Sequence, residues 1–270
     1  MNRLSNISSW KSFANHVRKT EMPLLKNLDK YSNSILVTGC QRSGTTMLSR
    51  LIAGSKGIDS YKFTKDDELD AALILSGKEE IDAEGRRYCF QSTYVNECYY
   101  EYFKVNRNHK MIWVVRNPYS VIHSFLNNWG RFAFNELFRS CGMELLSYRD
   151  RVRLNYFGLW SINKLRRACL AYNGKQKQLE KLSKGLPNID IMFIEYDELV
   201  KNKNNILPEI YDFIGLEYNS AYGDGIKVKS ISKADSMSTS DNKIITAMCE
   251  ATYKDAVSLC NTIVKARHGN

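Results

Sequence analysis

The stretch SILVTGCQRSGTTMLSRLIA, residues 34–53, decides the fold. Ser34–Gly39 is a continuous rather than alternating apolar run, the pattern of a strand buried on both faces in a parallel sheet. From Thr45 to Ala53 the period becomes helical, with Met47, Leu48, Leu51 and Ile52 on one stripe. Between them stand Gly39 and Gly44, with four residues separating the two. Glycine lets the backbone turn so that successive N–H groups converge on an anion at the helix N-terminus. Nucleotide triphosphatase loops of this spacing carry Lys and then Ser or Thr directly after the second glycine. Here Thr45 and Thr46 occupy those places, and Arg42 inside the loop is the cation. No downstream motif supplies a magnesium carboxylate.

Outward from this loop, MIWVV (residues 111–115) and IDIMFI (residues 189–194) repeat the buried-strand pattern, and Tyr88–Phe90 is a weaker candidate. Helical patterns cover Pro118–Leu126, which opens on a proline suited to a first turn, then Tyr148–Tyr172 and Asn204–Ile214. Strands alternating with helices predict an α/β fold, a parallel β-sheet flanked by helices, in one domain over residues 1–270. The segment 129–178, rich in arginine and aromatics, reads as a helical insertion or cap.

Hydrophobic residues at 43% and charged residues at 25% exclude a disordered chain. The apolar runs are too short to span a bilayer, and MNRLSNISSWKSF lacks the apolar core of a secretory signal. Seven scattered cysteines without a C-x-x-C pair argue for reduced thiols in a cytoplasmic chain and against a zinc knuckle. A net charge of +10 favours an anionic partner. No basic run exceeds two residues and no recognition motif is visible, which argues against nucleic acid. Against the general surplus, eight acidic residues and one basic one, Lys78, fall between Asp66 and Glu84.

The loop QRSGTT resembles the 5′-phosphosulfate loop of the sulfotransferases that use 3′-phosphoadenosine-5′-phosphosulfate (PAPS), in the form found in their tyrosylprotein and bacterial branches. VVRNPYSVIHS is similar to that family's 3′-phosphate motif, with Arg116 and Ser124 at the clamping positions. FIEYDELVKNKNNILPEIYDFIGL resembles its strand–helix structural segment, and SISKADS a segment that closes over the nucleotide. The resemblance implies a sulfuryl transfer from PAPS that leaves 3′,5′-bisphosphoadenosine (PAP) and requires no metal. Nucleotide contacts then fall to Gln41, Arg42, Ser43, Gly44, Thr45, Thr46, Arg116, Ser124, Ser232 and Lys233, with Arg42 also catalytic.

The Lys-x-His of small-molecule members is absent: Cys89–Thr93 occupies that neighbourhood. Other branches use a glutamate some way past the loop cation, which leads here to Asp66, Asp67 or Glu68, with Glu68 and Asp67 preferred. The expected acceptor is a hydroxyl or amine of a soluble small molecule or glycan, and the acidic stretch suits a cationic natural product. Phe125, Trp129, Phe132, Phe134 and Phe138 are candidates to stack on it. A P-loop kinase or nucleotide triphosphatase and a basic nucleic-acid binder are the rival readings.

Overall fold

The structure is a computed structural model that describes residues 7–62, 66–94, 99–105, 108–187, 190–226 and 237–268. Four parallel strands form its sheet: β1 (Ile35–Gly39), β2 (Cys89–Gln91), β3 (Lys110–Val115) and β4 (Ile191–Glu195), in the order β2-β1-β3-β4. Register pairs Val37 with Gln91 on one side and with Ile112 on the other, and Ile112 in turn with Met192. Every residue of β1 and β2 is buried, which is why β1 lacks the alternation of a half-exposed strand.

Helices cover both faces. On one, Leu48 and Ile52 of α2 (Thr45–Ala53), Leu199 of α8 (Tyr196–Lys201) and Leu207 and Ile210 of α9 (Lys203–Ile214) pack on Ile35, Val37, Ile112 and Met192. On the other, Ile74 of α3 (Asp67–Leu75), Leu179 of α7 (Lys164–Gly185) and Ala256 of α10 (Thr239–His268) pack on Leu36, Phe90 and Trp113. A further cluster joins α4 (Pro118–Asn127) and α5 (Arg131–Leu137) to α7 and α10 through Phe125, Phe134, Tyr172 and Ile245. The helix α1 (Trp10–Thr20) sits on α3, Phe13 against Leu69, Ala72 and Leu73.

The fold matches the expected α/β class, with two local departures. The helix expected over Tyr148–Tyr172 is two helices: α6 (Tyr148–Phe157) ends at Gly158, whose φ of 69° is the left-handed region glycine tolerates, and α7 starts afresh after the Asn163 cap. The last strand begins at Ile191 rather than Ile189, which lies outside the described residues. Three helices, α1, α3 and α10, carry no matching sequence expectation. Because α7 runs from the insertion into the sheet core, it ties the two together physically.

Candidate active site

The loop after β1 is built to present backbone donors. Gly44, at φ 95°, is the N-cap of α2, and a Cβ there would meet the Tyr196 ring at 2.1 Å. Arg42 holds a φ of 70° without being glycine, a strained geometry of the sort that collects at functional sites. No side chain caps α2, so its first-turn N–H groups are available to an anion. The buried Ser43 hydroxyl has no hydrogen-bond partner among the described residues. These features fit a phosphate or sulfate group.

The two phosphate motifs meet here. The Arg42 guanidinium donates from Nε to Ser124 Oγ at 2.8 Å, and Arg116 donates to the Arg42 carbonyl at 3.3 Å. Arg116 is fixed from three sides. Asp197 lies 3.7 Å away, the Tyr196 ring centroid is 4.5 Å from the guanidinium, and Tyr172 donates to the Arg116 carbonyl at 2.8 Å. Asn117 accepts from the Ser120 N–H at 2.8 Å, capping α4, and donates to Asp197. Burial, and then the neighbouring Arg116 charge, push the Arg42 pKa below its ordinary value. Two guanidiniums gathered at a helix N-terminus form a site that a polyanion relieves.

The structure separates the three candidate carboxylates. Asp66 is the N-cap of α3, accepting from the Leu69 N–H at 3.1 Å and from the Trp10 indole at 2.8 Å. Asp67 is buried in an ion pair with Arg50 at 2.6 Å, with Lys62 at 3.4 Å. Glu68 accepts from the Thr93 hydroxyl, and Gln91 links it to the loop: its Nε2 lies 3.5 Å from Glu68 and donates to Thr46 Oγ1 at 2.9 Å. Desolvation pushes the Glu68 pKa up to about 7, against the opposing pull of the Thr93 hydrogen bond and the Lys175 charge.

Two cavities adjoin at Glu68. One, of about 350 Å³, is lined by the apolar side chains of Phe13, Val17, Trp129, Phe132 and Leu137, with Gln41 and Glu68 among its polar groups. The other, of about 660 Å³, is lined by Arg42, Thr46, Asp67, Glu68 and Gln91. Trp10, Glu68 and Trp129 line both. Of the five aromatics expected near the acceptor, Trp129 and Phe132 reach the apolar cavity, while Phe125, Phe134 and Phe138 are buried in the core cluster.

Ser232 and Lys233 lie outside the described residues. Sequence reasoning missed Trp10 and Lys175. Lys175 is fully buried, donates to the Thr93 carbonyl at 3.1 Å alongside Gln41 at 2.8 Å, and lies 5.4 Å from the Trp113 ring centroid. Its setting in GKQKQLEK has the look of a solvated helix face, so only the tertiary packing singles it out. Among the described residues no cluster of metal-type ligands forms, and no helix is long and apolar enough to cross a membrane.

A family model described as a sulfotransferase domain matches residues 32–246. The structure is similar to the sulfotransferase domain from the curacin biosynthetic pathway, with a TM-score of 0.52 and 15% sequence identity, covering 79% of this chain and 95% of that one. It is similar also to the sulfotransferase domain from the Synechococcus PCC 7002 olefin synthase, with a TM-score of 0.51 and 17% identity over 83% and 97% of the two chains. At such identities the likeness is one of fold. No curated protein matches the chain.

Proposed function

The chain belongs to the sulfotransferase family, and on that premise we propose that it moves the sulfuryl group of PAPS to a hydroxyl or amine of an apolar small molecule, with Glu68 as the base. The observation that carries this reading is the place of Glu68, which lines both the cavity beside the phosphate loop and the apolar cavity next to it. The family match favours sulfuryl transfer over the kinase reading.

In the proposed reaction the acceptor oxygen or nitrogen attacks sulfur in line with the bridging oxygen of the nucleotide. A new bond to sulfur forms, the S–O bond to the 5′-phosphate breaks, and the acceptor proton passes to Glu68. Negative charge grows on the departing phosphate, so catalysis is mostly positioning and charge stabilisation. In this reading the loop N–H groups, Arg42, Thr45 and Thr46 receive that charge, with Gln41 and Ser43 shaping the loop. Arg116 and Ser124 are assigned to the 3′-phosphate, which accounts for the firm anchoring of Arg116 by Asp197 and Tyr196. PAP is the nucleotide product.

The acceptor reading follows the lining. Of the eight carboxylates between Asp66 and Glu84, only Glu68 lines the apolar cavity; Asp66 and Asp67 are committed to a cap and an ion pair. The other carboxylate of that cavity, Glu136, is paired with Arg18 and Arg139, so the rings of Phe13, Trp129 and Phe132 favour an apolar acceptor.

A pKa near the working pH is what a general base needs. The kcat/KM profile is therefore expected to fall on the acid side with an apparent pKa of about 7. Lys175 lowers the Glu68 pKa by its charge, so Lys175→Met, an unbranched neutral replacement one atom shorter, is expected to move that limb to higher pH. An unmoved limb would show that Lys175 serves packing alone.

Donor binding is tested by melting. PAP bound only to the folded chain adds about 2.7 kcal/mol at about a hundredfold excess over its dissociation constant. AMP, lacking the 3′-phosphate, is expected to give little shift, and Arg116→Ala to remove most of the PAP shift. Equal stabilisation by AMP and PAP would overturn the assignment of Arg116 and Ser124.

A further inference from the structure

A band of aromatic and basic side chains on α6 and the turn behind it takes no part in the site. Tyr148, Tyr156, Phe157 and Trp160 are 83%, 79%, 73% and 70% exposed, a concentration of large rings in water that calls for a partner. Arg149, Arg153, Tyr156 and Phe157 follow at i, i+4, i+7 and i+8, which sets them along one face of α6, and all four are exposed. Arg131, at the head of α5, stands over the Trp160 ring at 4.0 Å from its centroid. The one acidic residue from 147 to 167 is Asp150, which is buried and paired with Arg166 at 2.6 Å. The exposed face is therefore aromatic and cationic, on a chain of net charge +10.

We propose that this face docks on an anionic lipid bilayer, with the rings of Tyr148, Tyr156, Phe157 and Trp160 at headgroup level and Arg131, Arg149 and Arg153 against lipid phosphates. Tyrosine and tryptophan, apolar in body and polar at the tip, settle at the membrane–water boundary, and each nearby arginine adds attraction to an anionic leaflet. Such docking asks only for a negatively charged surface, which a leaflet of anionic lipid presents without a fixed register. No residue from 147 to 167 is an exposed acid. The face also abuts the apolar cavity: Arg131, stacked on Trp160, directly precedes Phe132, which lines it. The placement of the cavity as an acceptor site rests on the sulfotransfer reading above, and on that reading docking brings it close to an acceptor dissolved in the membrane.

Flotation of the full chain with vesicles decides the matter, using phosphatidylcholine alone and phosphatidylcholine mixed with phosphatidylglycerol. The chain is expected to float with the mixed vesicles, less so as salt is raised, and not with phosphatidylcholine alone. The double variants Phe157→Ser/Trp160→Ser and Arg149→Glu/Arg153→Glu are each expected to lower partitioning about tenfold or more, with melting temperatures unchanged. If the parent chain ignores the anionic vesicles, or both double variants float as it does, the proposal is overturned, and an acidic protein becomes the occupant to seek. Flotation needs no turnover, so its failure leaves the roles of Glu68 and the phosphate loop standing, and an inactive enzyme that still floats leaves the docking face standing.

Discussion

Glu68→Gln is expected to lower kcat by about 10²–10⁴-fold, the usual worth of a general base, while leaving the affinity for PAP unchanged. The neighbouring substitutions separate chemistry from structure. Asp66→Asn weakens the cap of α3 and the Trp10 contact, and Asp67→Asn weakens the ion pair between a buried carboxylate and the half-exposed Arg50. Both are expected to lower the melting temperature more than they lower kcat. Glu68→Gln differs in a second way. Its pKa is raised by desolvation, so the folded chain holds a proton that the unfolded chain releases at lower pH. The associated stability is fully present below the ordinary carboxylate range and is lost as pH rises through about 7. Above that pH the glutamine variant is expected to melt higher than the parent, because it buries no charge. Kinetics and melting curves at pH 6 and pH 8 read both effects; wild-type turnover in the glutamine variant would place the base elsewhere.

Arg42→Ala carries the second large effect. Its guanidinium lies beside Arg116 and reaches Ser124, and the proposed reaction assigns it to the negative charge that develops on the departing nucleotide. Contacts that strengthen only in the transition state lower kcat when removed, and a single such donor is worth about 2.7–4 kcal/mol, or about 10²–10³-fold. The loss is expected in kcat far more than in PAP binding, since Arg116 and the loop N–H groups remain. Alanine at Thr45 or Thr46 is expected to cost less. Single-turnover rates beside calorimetric PAP titrations separate the two quantities, and full turnover by the Arg42 variant would refute the role.

The parts of this molecule that were legible in its sequence are those with a local signature. Buried parallel strands read as continuous apolar runs, and α2 follows its glycine-bounded loop with a regular stripe, so β1, β3 and α2 are found at or within a residue of their expected bounds. The two phosphate motifs were read from the sequence separately, and the hydrogen bond from Arg42 to Ser124 follows from the β1–β3 pairing, which carries both strand ends to one edge. In α3, residues 69–75 are all buried, which erases the polar–apolar alternation that marks a surface helix. Asp66, Asp67 and Glu68 differ only by their angle around one helical turn; all three border the cavity beside the phosphate loop, and that angle sends one to a cap, one to Arg50 and one on to the apolar cavity. Phe125, Phe134 and Phe138 have the same spacing signal as Trp129 and Phe132, and only packing assigns the first three to the core.

The most direct measurement is mass-detected sulfate transfer from PAPS to a matched panel of acceptors, comprising apolar alcohols and amines, cationic amines and sugars, run with the parent chain and with Glu68→Gln. The expected result is sulfated product from the apolar acceptors, PAP in equal amount, and loss of both in the Glu68 variant. Transfer confined to sugars or cationic amines, or transfer that survives unchanged in Glu68→Gln, would contradict the assignment of the apolar cavity and of its base.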